Sequence, residues 1–189
     1  MPELIVIAGA NGSGKSSLTK LSAFDLPVID PDAIARQLAP ENPESAAFAA
    51  GRRAIAQTRE YVNANCSFMV ETTLAGNNYL NLMVEVKALG WIVTLIYVGI
   101  DNPNTNIQRV RSRVKLGGHD VPRADILRRY ERSLGNLNKA AKIADKLILY
   151  DNSTNIGYQI VATIEGDTTV IYMPEIPVWL ASSNLKLEI

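Results

Sequence analysis

The chain has 189 residues with 19 Lys and Arg, 19 Asp and Glu and one His, so its formal net charge is zero. This length suits one domain with at most a small appendage, and a hydrophobic content of 47% excludes a disordered chain. Neutrality disfavours a protein that coats nucleic acid or membrane. The neutral total is an average, because residues 101–150 carry 11 basic and 5 acidic side chains between two acidic flanks.

The single cysteine, Cys66, permits no internal disulfide and favours a reducing, cytoplasmic location. It lies beside the apolar run 68–70, which predicts a buried side chain. No signal peptide is expected, since the apolar run 4–8 is short and leads directly into glycines. No apolar run approaches the ~20 residues of a membrane span, so no membrane partner is expected.

Short apolar runs alternate with helical segments up to residue 152. This alternation predicts an α/β fold, a three-layer sandwich with a five-stranded, mostly parallel sheet. After residue 151 the pattern changes to a β-hairpin and a proline-containing tail, so we expect one α/β domain over 1–152 with residues 153–189 packed on it. In chain order, the predicted elements are strand 4–8, a helix from residue 15, strand 27–30, helices 32–39 and 44–65, strand 68–71, helix 77–89, strand 91–98, helices 103–116 and 125–144, strand 147–150 and the hairpin strands 158–164 and 168–173.

Residues 9–16 read G-A-N-G-S-G-K-S and match the phosphate-binding pattern G-x-x-x-x-G-K-[ST] in full, between a predicted strand and a predicted helix. Glycines let backbone N–H groups turn toward phosphate oxygens, and the N-terminus of the helix adds its positive dipole. Lys15 can then reach the β- and γ-phosphates, and Ser16 offers a hydroxyl to Mg²⁺. The predicted nucleotide-binding residues are Gly9, Ala10, Asn11, Gly12, Ser13, Gly14, Lys15, Ser16 and Ser17.

Absent motifs narrow the class of P-loop protein. Residues 138–141 read N-K-A-A instead of the guanine-reading N-K-x-D, and no D-x-x-G occurs. These absences disfavour a switch GTPase and favour ATP over GTP. The chain is also too short for an AAA+ module and lacks the signature of a transporter ATPase. A small kinase-like phosphotransferase remains as the predicted class, with the α/β fold of a P-loop NTPase and a kinase domain over residues 1–152.

Carboxylates follow two of the predicted strands, where an open α/β sheet gathers its ligands. Asp32, at a helix start, is the better candidate for a base that accepts a proton from a substrate hydroxyl, with an ordinary N-cap as its alternative. Asp30 is either a site residue or a turn residue before Pro31. Glu71 either holds a water of Mg²⁺ or binds the acceptor. Further candidates for the acceptor pocket are Thr73, Asn77, Asn78 and Tyr79.

The basic residues concentrate in 103–132, where two predicted helices flank the loop 117–122 and resemble a mobile lid. Arginines that close over a transferring phosphoryl group stabilise its charge. On the first helix, Arg111 and Arg113 border the apolar stripe on opposite sides, so periodicity does not select between them. His119 is either a surface residue or a phosphate contact. The predicted catalytic lid residues are Arg109, Arg113 and His119.

The second lid helix carries Arg128, Arg129 and Arg132 away from its apolar face. A solvated basic face explains these residues, and a nucleic-acid-binding strip is the alternative. The strip lacks interleaved aromatic side chains, since Tyr130 faces the core stripe, so a nucleic-acid partner is disfavoured.

Five segments taken together resemble the zeta-toxin family. They are the P-loop, the segment Ile29-Asp30-Pro31-Asp32, the strand end Val70-Glu71-Thr72-Thr73, the strand start Gly90-Trp91 and the arginine helix before Pro122. These P-loop kinases of toxin–antitoxin systems are similar to phosphotransferases such as chloramphenicol phosphotransferase. The resemblance covers residues 4–152.

The resemblance implies a catalytic base at Asp32, an active-site carboxylate at Glu71 and two lid arginines on the nucleotide phosphates. It implies transfer of the γ-phosphate of Mg·ATP to a hydroxyl of a UDP-activated amino sugar, and a neutralising antitoxin as partner. Two features depart from the family pattern: His119 stands in place of the second lid arginine, and a hairpin tail replaces a longer helical extension. A compact relative with another small-molecule acceptor, a nucleoside or nucleic-acid-end kinase, and a nucleotide-dependent switch without an acceptor are the alternatives.

Overall fold

A computed structural model describes residues 1–22, 25–118 and 120–187. The strands are β1 Glu3–Ala8, β2 Val28–Ile29, β3 Phe68–Thr72, β4 Ile92–Gly99, β5 Lys146–Asp151, β6 Gln159–Glu165 and β7 Thr168–Ile171. The α-helices are α1 Lys15–Leu21, α2 Pro31–Leu38, α3 Ala47–Asn63, α4 Asn78–Ala88, α5 Pro103–Lys115, α6 Arg123–Ile143 and α7 Val178–Ala181, and a 3₁₀-helix covers Pro43–Ala46. In this part of the chain, no helix combines the length and the apolarity that a membrane span requires.

Within the described residues, seven strands form one sheet in the order β2-β3-β1-β4-β5-β6-β7. The first five are parallel, and β6 and β7 join antiparallel. The α/β class and the mostly parallel sheet are confirmed, but the predicted strand count of five is too low. The hairpin does not lie apart from the sheet: it pairs with β5 and covers the edge that this strand would otherwise expose.

Apolar side chains cover the two faces of the sheet unequally. The larger core joins alternate residues of β1, β3, β4 and β5 to apolar residues of α3, α4 and α6. On the opposite face a smaller cluster around Ile5, Ile7 and Met69 packs against Leu18 of α1. Both faces of the central strands are therefore buried, as the continuous apolar runs predicted.

The lid helices α5 and α6 have a small core of their own, in which Ile107 and Val110 meet Val121 and Ile126. On α6, Ile126 is buried and Leu127 only partly so. The buried face at the start of α6 thus passes through Ile126 instead of Leu127, and this rotation of the helix decides which of its arginines face the P-loop.

Cys66 is exposed, so the prediction of a buried thiol is wrong. The residue lies in the connection between α3 and β3, two positions before the strand begins at Phe68. The apolar pattern of a strand does not extend to that connection.

The tail after β7 contributes a large side chain to the main core. Trp179 is fully buried, and its ring lies 5.4 Å from the ring of Tyr97. The backbone N–H of Trp179 donates to Asp101 at 2.9 Å, and the indole N–H donates to Asp151 at 3.0 Å. A Cβ at Gly99 would overlap the indole ring, so glycine is required there. The tail is therefore anchored beneath the carboxyl ends of β4 and β5.

We expect Trp179→Ala to lower the free energy of unfolding by about 3–5 kcal/mol, because it removes a buried aromatic ring and leaves a cavity. Urea unfolding monitored by far-ultraviolet circular dichroism measures this change. Val178→Ala, at the exposed neighbouring position, is the matched control and should change stability by less than about 0.5 kcal/mol. Equal effects of the two variants would contradict the anchoring role of Trp179.

Candidate active site

The P-loop lies between β1 and α1, with Gly14 as the N-cap of the helix at φ +108°. The ammonium group of Lys15 donates to the carbonyl oxygens of Gly9 at 2.7 Å and Ala10 at 3.1 Å. Burial lowers the pKa of Lys15, whereas the charges of Glu71 and Asp32 act in the opposite direction. The lysine thus stands at the loop close to two carboxylates.

Side chains from other elements hold the P-loop from outside. Asn106 of α5 donates from Nδ2 to the carbonyl of Asn11 at 2.8 Å, and Asn152 after β5 donates to the carbonyl of Ser13 at 2.8 Å. The hydroxyl of Tyr158 donates to the carbonyl of Gly14 at 2.7 Å. In a trans peptide the C=O and the N–H of the next residue point in opposite directions. The N–H groups of Gly12, Gly14 and Lys15 therefore point away from the three side chains that bind the preceding carbonyls.

The loop glycines are required by this close packing. A Cβ at Gly12 would lie 2.6 Å from the backbone oxygen of Asn106. A Cβ at Gly14 would lie 2.7 Å from Nδ2 of Asn152 and 2.7 Å from the hydroxyl of Tyr158. The glycines therefore allow the neighbouring side chains and backbone to approach the P-loop closely, and they also allow the positive φ angles of the loop.

Glu71, at the end of β3, accepts a hydrogen bond from the hydroxyl of Ser16, with Ser16 Oγ 2.7 Å from Glu71 Oε2. The two meet because β1 and β3 are parallel neighbours with Ile7 opposite Glu71. A hydroxyl and a carboxylate oxygen are hard donors that suit Mg²⁺, which proteins hold with one or two such ligands and the phosphates of the substrate. The pair fits the predicted metal position, although no group of three metal-ligating side chains occurs among the described residues.

Asp30 and Asp32 both line the cavity described below, and Asp30 is in addition the cap of a helix. Asp30 is the N-cap of α2, and its Oδ1 accepts the backbone N–H of Asp32 at 2.9 Å. Asp32 lies in the first turn of the helix, in the wall of the cavity described below. Burial raises the pKa of the Asp30 carboxyl, and the charges of Glu71 and Asp32 raise it further.

Most of the predicted residues meet in one cavity of about 540 Å³, but Gly9, Ala10 and Ser13 of the P-loop are not among its described lining residues. Of the acceptor-pocket candidates, Tyr79 lines the cavity, whereas Asn77 and Asn78 are exposed and are not among its described lining residues. Burial, with the charge of Asp30, raises the pKa of Tyr79 to about 12, so its phenol is a hydrogen-bond donor at neutral pH. His119 lies outside the described residues. The predicted residues that line the cavity are Asn11, Gly12, Gly14, Lys15, Ser16, Ser17, Asp32, Glu71, Thr73, Arg109 and Arg113.

Three arginines line the lid side of the cavity. Arg109 and Arg113 come from α5, whereas Arg111 is exposed and absent from the described lining. The third is Arg129, whose Nη1 lies 3.2 Å from Oδ1 of Asn11. The prediction of a solvated basic face missed Arg129, because the buried face of α6 passes through Ile126, one turn before it.

The cavity brings together side chains of both charges. Lys15 and the three arginines bring positive charge to the P-loop and the lid. The carboxylates Asp30, Asp32 and Glu71 lie at the ends of β2 and β3. One cavity therefore combines a site for a polyanion with acidic groups able to accept a proton.

The sequence profile of the family described as Zeta toxin matches residues 1–160. This chain belongs to the zeta toxin family. An uncharacterized protein of Haemophilus influenzae is 39% identical over 127 residues, which cover 67% of this chain and 91% of that protein. The family assignment confirms the resemblance that the sequence motifs indicated.

Solved structures show the same fold at low sequence identity. AvrRxo1-ORF1, in a crystal structure with AvrRxo1-ORF2 and ATP, superposes with a TM-score of 0.74 at 16% identity, covering 100% of this chain and 66% of that chain. A chain from the structure of the PezAT toxin–antitoxin system of Streptococcus pneumoniae superposes with a TM-score of 0.64 at 16% identity, covering 89% of this chain and 74% of that chain. A gluconokinase from Sinorhizobium meliloti superposes with a TM-score of 0.53 at 18% identity, covering 82% of this chain and 85% of that chain. This chain therefore spans about two thirds of the AvrRxo1-ORF1 chain and has a P-loop kinase fold.

We expect Gly14→Ala to abolish measurable ATP binding, because the added methyl group would displace Asn152 and Tyr158 from the P-loop. Isothermal titration with Mg·ATP measures the loss. Gly135→Ala is the matched control, because a Cβ there meets nothing within 4 Å in α6. The control should bind ATP normally and gain up to about 1 kcal/mol of stability from helix propensity. Normal ATP binding by Gly14→Ala would contradict the packing argument.

The raised pKa of Asp30 predicts a pH-dependent stability difference. The folded state binds the Asp30 proton more tightly than the unfolded state, so ionisation of this carboxyl costs stability as pH rises through the folded pKa. Asp30→Asn retains a cap acceptor without the charge. We expect this variant to be more stable than the parent at pH 8 and equal to it below the usual Asp pKa. Thermal unfolding at pH values from 3 to 8 checks the prediction, and a constant difference would contradict it.

Proposed function

We propose that this protein is an ATP-dependent phosphotransferase that moves the γ-phosphate of Mg·ATP to a hydroxyl of a small-molecule acceptor in the cytoplasm. The observation that carries the proposal is the joint placement of Asp32 and the P-loop Lys15 in one cavity under the lid arginines. Membership of the zeta toxin family and the kinase fold of the structural neighbours support it.

The cationic side of the cavity would bind the triphosphate. The P-loop backbone and the N-terminus of α1 would hold its oxygens, and Lys15 would exchange its bonds to the loop carbonyls for the β- and γ-phosphates. Arg109, Arg113 and Arg129 line the same cavity and would neutralise the charge that spreads over the equatorial oxygens during transfer. The lid would also exclude water, which otherwise competes with the acceptor.

Asp32 would act as the general base. Its carboxylate would accept the proton of the acceptor hydroxyl while that oxygen forms a bond to the γ-phosphorus. The bond between this phosphorus and the β,γ-bridging oxygen breaks, and ADP leaves with the electron pair. Asp30 would fix the first turn of α2 through its hydrogen bond to the backbone of Asp32.

Ser16 and Glu71 would hold Mg²⁺, which when bound supplies charge neutralisation between the phosphates. The sequence allowed Glu71 either a metal role or an acceptor role. Its hydrogen bond to the P-loop Ser16 favours the metal role, because this hydroxyl is the usual magnesium ligand of a P-loop.

The family suggests a UDP-amino sugar as the acceptor and an antitoxin protein as the partner. Two structural neighbours support the partner: AvrRxo1-ORF1 was solved with AvrRxo1-ORF2, and PezAT is a toxin–antitoxin system. A switch without an acceptor accounts less well for the carboxylates of the cavity, because nucleotide binding alone does not require a base beside Lys15.

We expect Asp32→Asn to bind ATP normally and to reduce phosphoryl transfer by about 10²–10⁴-fold, the usual contribution of a general base. The assay follows label from [γ-³²P]ATP into UDP-sugars, free sugars, nucleosides and oligonucleotide ends. Asp167→Asn, in the exposed hairpin turn, is the matched control and should leave transfer unchanged.

Unchanged turnover in Asp32→Asn would remove the base assignment. Release of free phosphate without any labelled acceptor would favour the switch instead of the kinase. Growth arrest on expression, relieved by Asp32→Asn, would test toxicity separately.

A further inference from the structure

The hairpin of β6 and β7 leaves one edge of the sheet open. β7 is the last strand in the sheet order, so within the described part of the chain it pairs only on its β6 side. The N–H of Tyr172 donates to the carbonyl of Val161 at 2.9 Å. Hydrogen bonds to a neighbouring strand alternate along an antiparallel pair. The backbone groups of Tyr172 therefore point to β6, and the N–H and C=O groups of Thr169 and Ile171 point outward from the sheet.

The residues at this edge favour strand pairing. Positions 168–172 read T-T-V-I-Y, and all five residues are β-branched or aromatic. Natural edge strands are commonly protected by a lysine, a proline or a bulge. Residues 168–172 contain neither lysine nor proline, and the register between β6 and β7 has no bulge. At the opposite edge of the sheet, β2 has two residues and offers far fewer groups for pairing.

An apolar strip on one face of the sheet ends at this edge. On the side of the smaller core, Ile148 of β5 lies opposite Thr163 of β6, and Thr163 lies opposite Val170 of β7. Val170 is 42% exposed, and Tyr172, on the same face, is 56% exposed. The smaller core, which includes Leu18 of α1, contains no described residue of β6 or β7. The outer strands therefore present uncovered apolar side chains beside an open row of backbone groups.

We propose that a second copy of this chain pairs with β7, edge to edge and antiparallel, so that the sheets of the two copies become one continuous sheet. The two-fold axis passes at Val170, which lies opposite Val170 of the second copy. Thr169 of each copy then exchanges N–H···O=C hydrogen bonds with Ile171 of the other. These are the backbone groups that point outward in the single chain.

The strand is complementary to itself in this register. On the uncovered face, Val170 meets its own counterpart, and Thr168 meets Tyr172 of the second copy. β-Branched and aromatic side chains in directly opposite positions stabilise a sheet. The nearest acidic side chain, Asp167, is three positions from the axis, so the two Asp167 residues are about 20 Å apart along the strands. This distance exceeds the Debye length of ~8 Å at physiological salt, so their repulsion is largely screened.

The proposed contact is closed. An isologous contact uses the same strand of both copies and leaves no β7 edge for a third copy. Pairing with a second copy covers the free edges of two molecules at once, whereas a strand from another protein covers only one. The contact lies apart from the proposed active site, because no residue of β7 is among the described lining residues of its cavity. Dimerisation is therefore testable without disturbing ATP binding.

Sedimentation velocity of the full chain at about 1–200 µM measures the monomer–dimer equilibrium, and we expect the dimer fraction to rise with concentration. Hydrogen exchange followed by NMR at both ends of this range identifies the contact. The amides of Thr169 and Ile171 should exchange at least about tenfold more slowly in the dimer, because they become hydrogen-bonded. The amide of Tyr172, which is bonded to β6 in the single chain, should change little.

Charged variants test the position of the axis. Val170→Lys and Val170→Glu each place like charges directly opposite each other, and each should weaken dimerisation about tenfold or more. An equimolar mixture of the two variants should dimerise again, because opposite charges then meet across the axis. Val84→Lys, at a 54% exposed position of α4, is the matched control and should dimerise like the parent. All of these variants should bind Mg·ATP like the parent, which verifies that they are folded.

Three results would overturn the proposal. They are a monomer at every concentration, a dimer that Val170→Lys leaves intact, and a dimer in which the amides of Thr169 and Ile171 exchange as fast as in the monomer.

Discussion

The hydrogen bonds that Asn106, Asn152 and Tyr158 donate to P-loop carbonyls are the constraint on which the site depends. They come from two separate parts of the chain, the first lid helix and the connection between β5 and β6. Each one fixes the orientation of a peptide plane, and thereby the direction of the following N–H group. A phosphate-binding loop needs such fixed dipoles, because N–H groups that must first reorient give up binding energy.

Hydrogen bonds of this kind also link the lid helices to the P-loop. Asn106 belongs to the helix that carries Arg109 and Arg113, and Arg129 reaches the side chain of Asn11. The cations of the lid are therefore placed relative to the P-loop by direct contacts. The carboxylates reach the cavity by a different route, through the parallel register of β2, β3 and β1. Their position close to Lys15 thus follows from sheet topology.

Much of this arrangement is predictable from the sequence because it depends on local patterns. The P-loop motif, the alternation of strands and helices and the carboxylates at strand ends are each visible in short windows. Arg129, Asn152 and Tyr158 escaped prediction, since their roles depend on contacts over 118, 139 and 144 positions of sequence. The rotation of α6 and the burial of Trp179 depend on tertiary packing, which a helical period does not determine. Of the candidates at the start of α4, Tyr79 lines this cavity and Asn77 does not, since the sequence does not determine which side chains of the first turn face a cavity.

Trp179 has a consequence for the order in which the molecule is completed. Its backbone N–H binds Asp101 across 78 positions of sequence, and Asp101 is two residues before the first lid helix. Ribosomes make the tail after the P-loop, the carboxylates and the lid helices, so all of the candidate site residues are synthesised before the indole that fills the core beneath β4 and β5. A contact between residues so far apart in sequence requires the closure of a long loop. The core beneath the site is therefore completed only after the tail has been made, by a residue that lies outside the cavity lining.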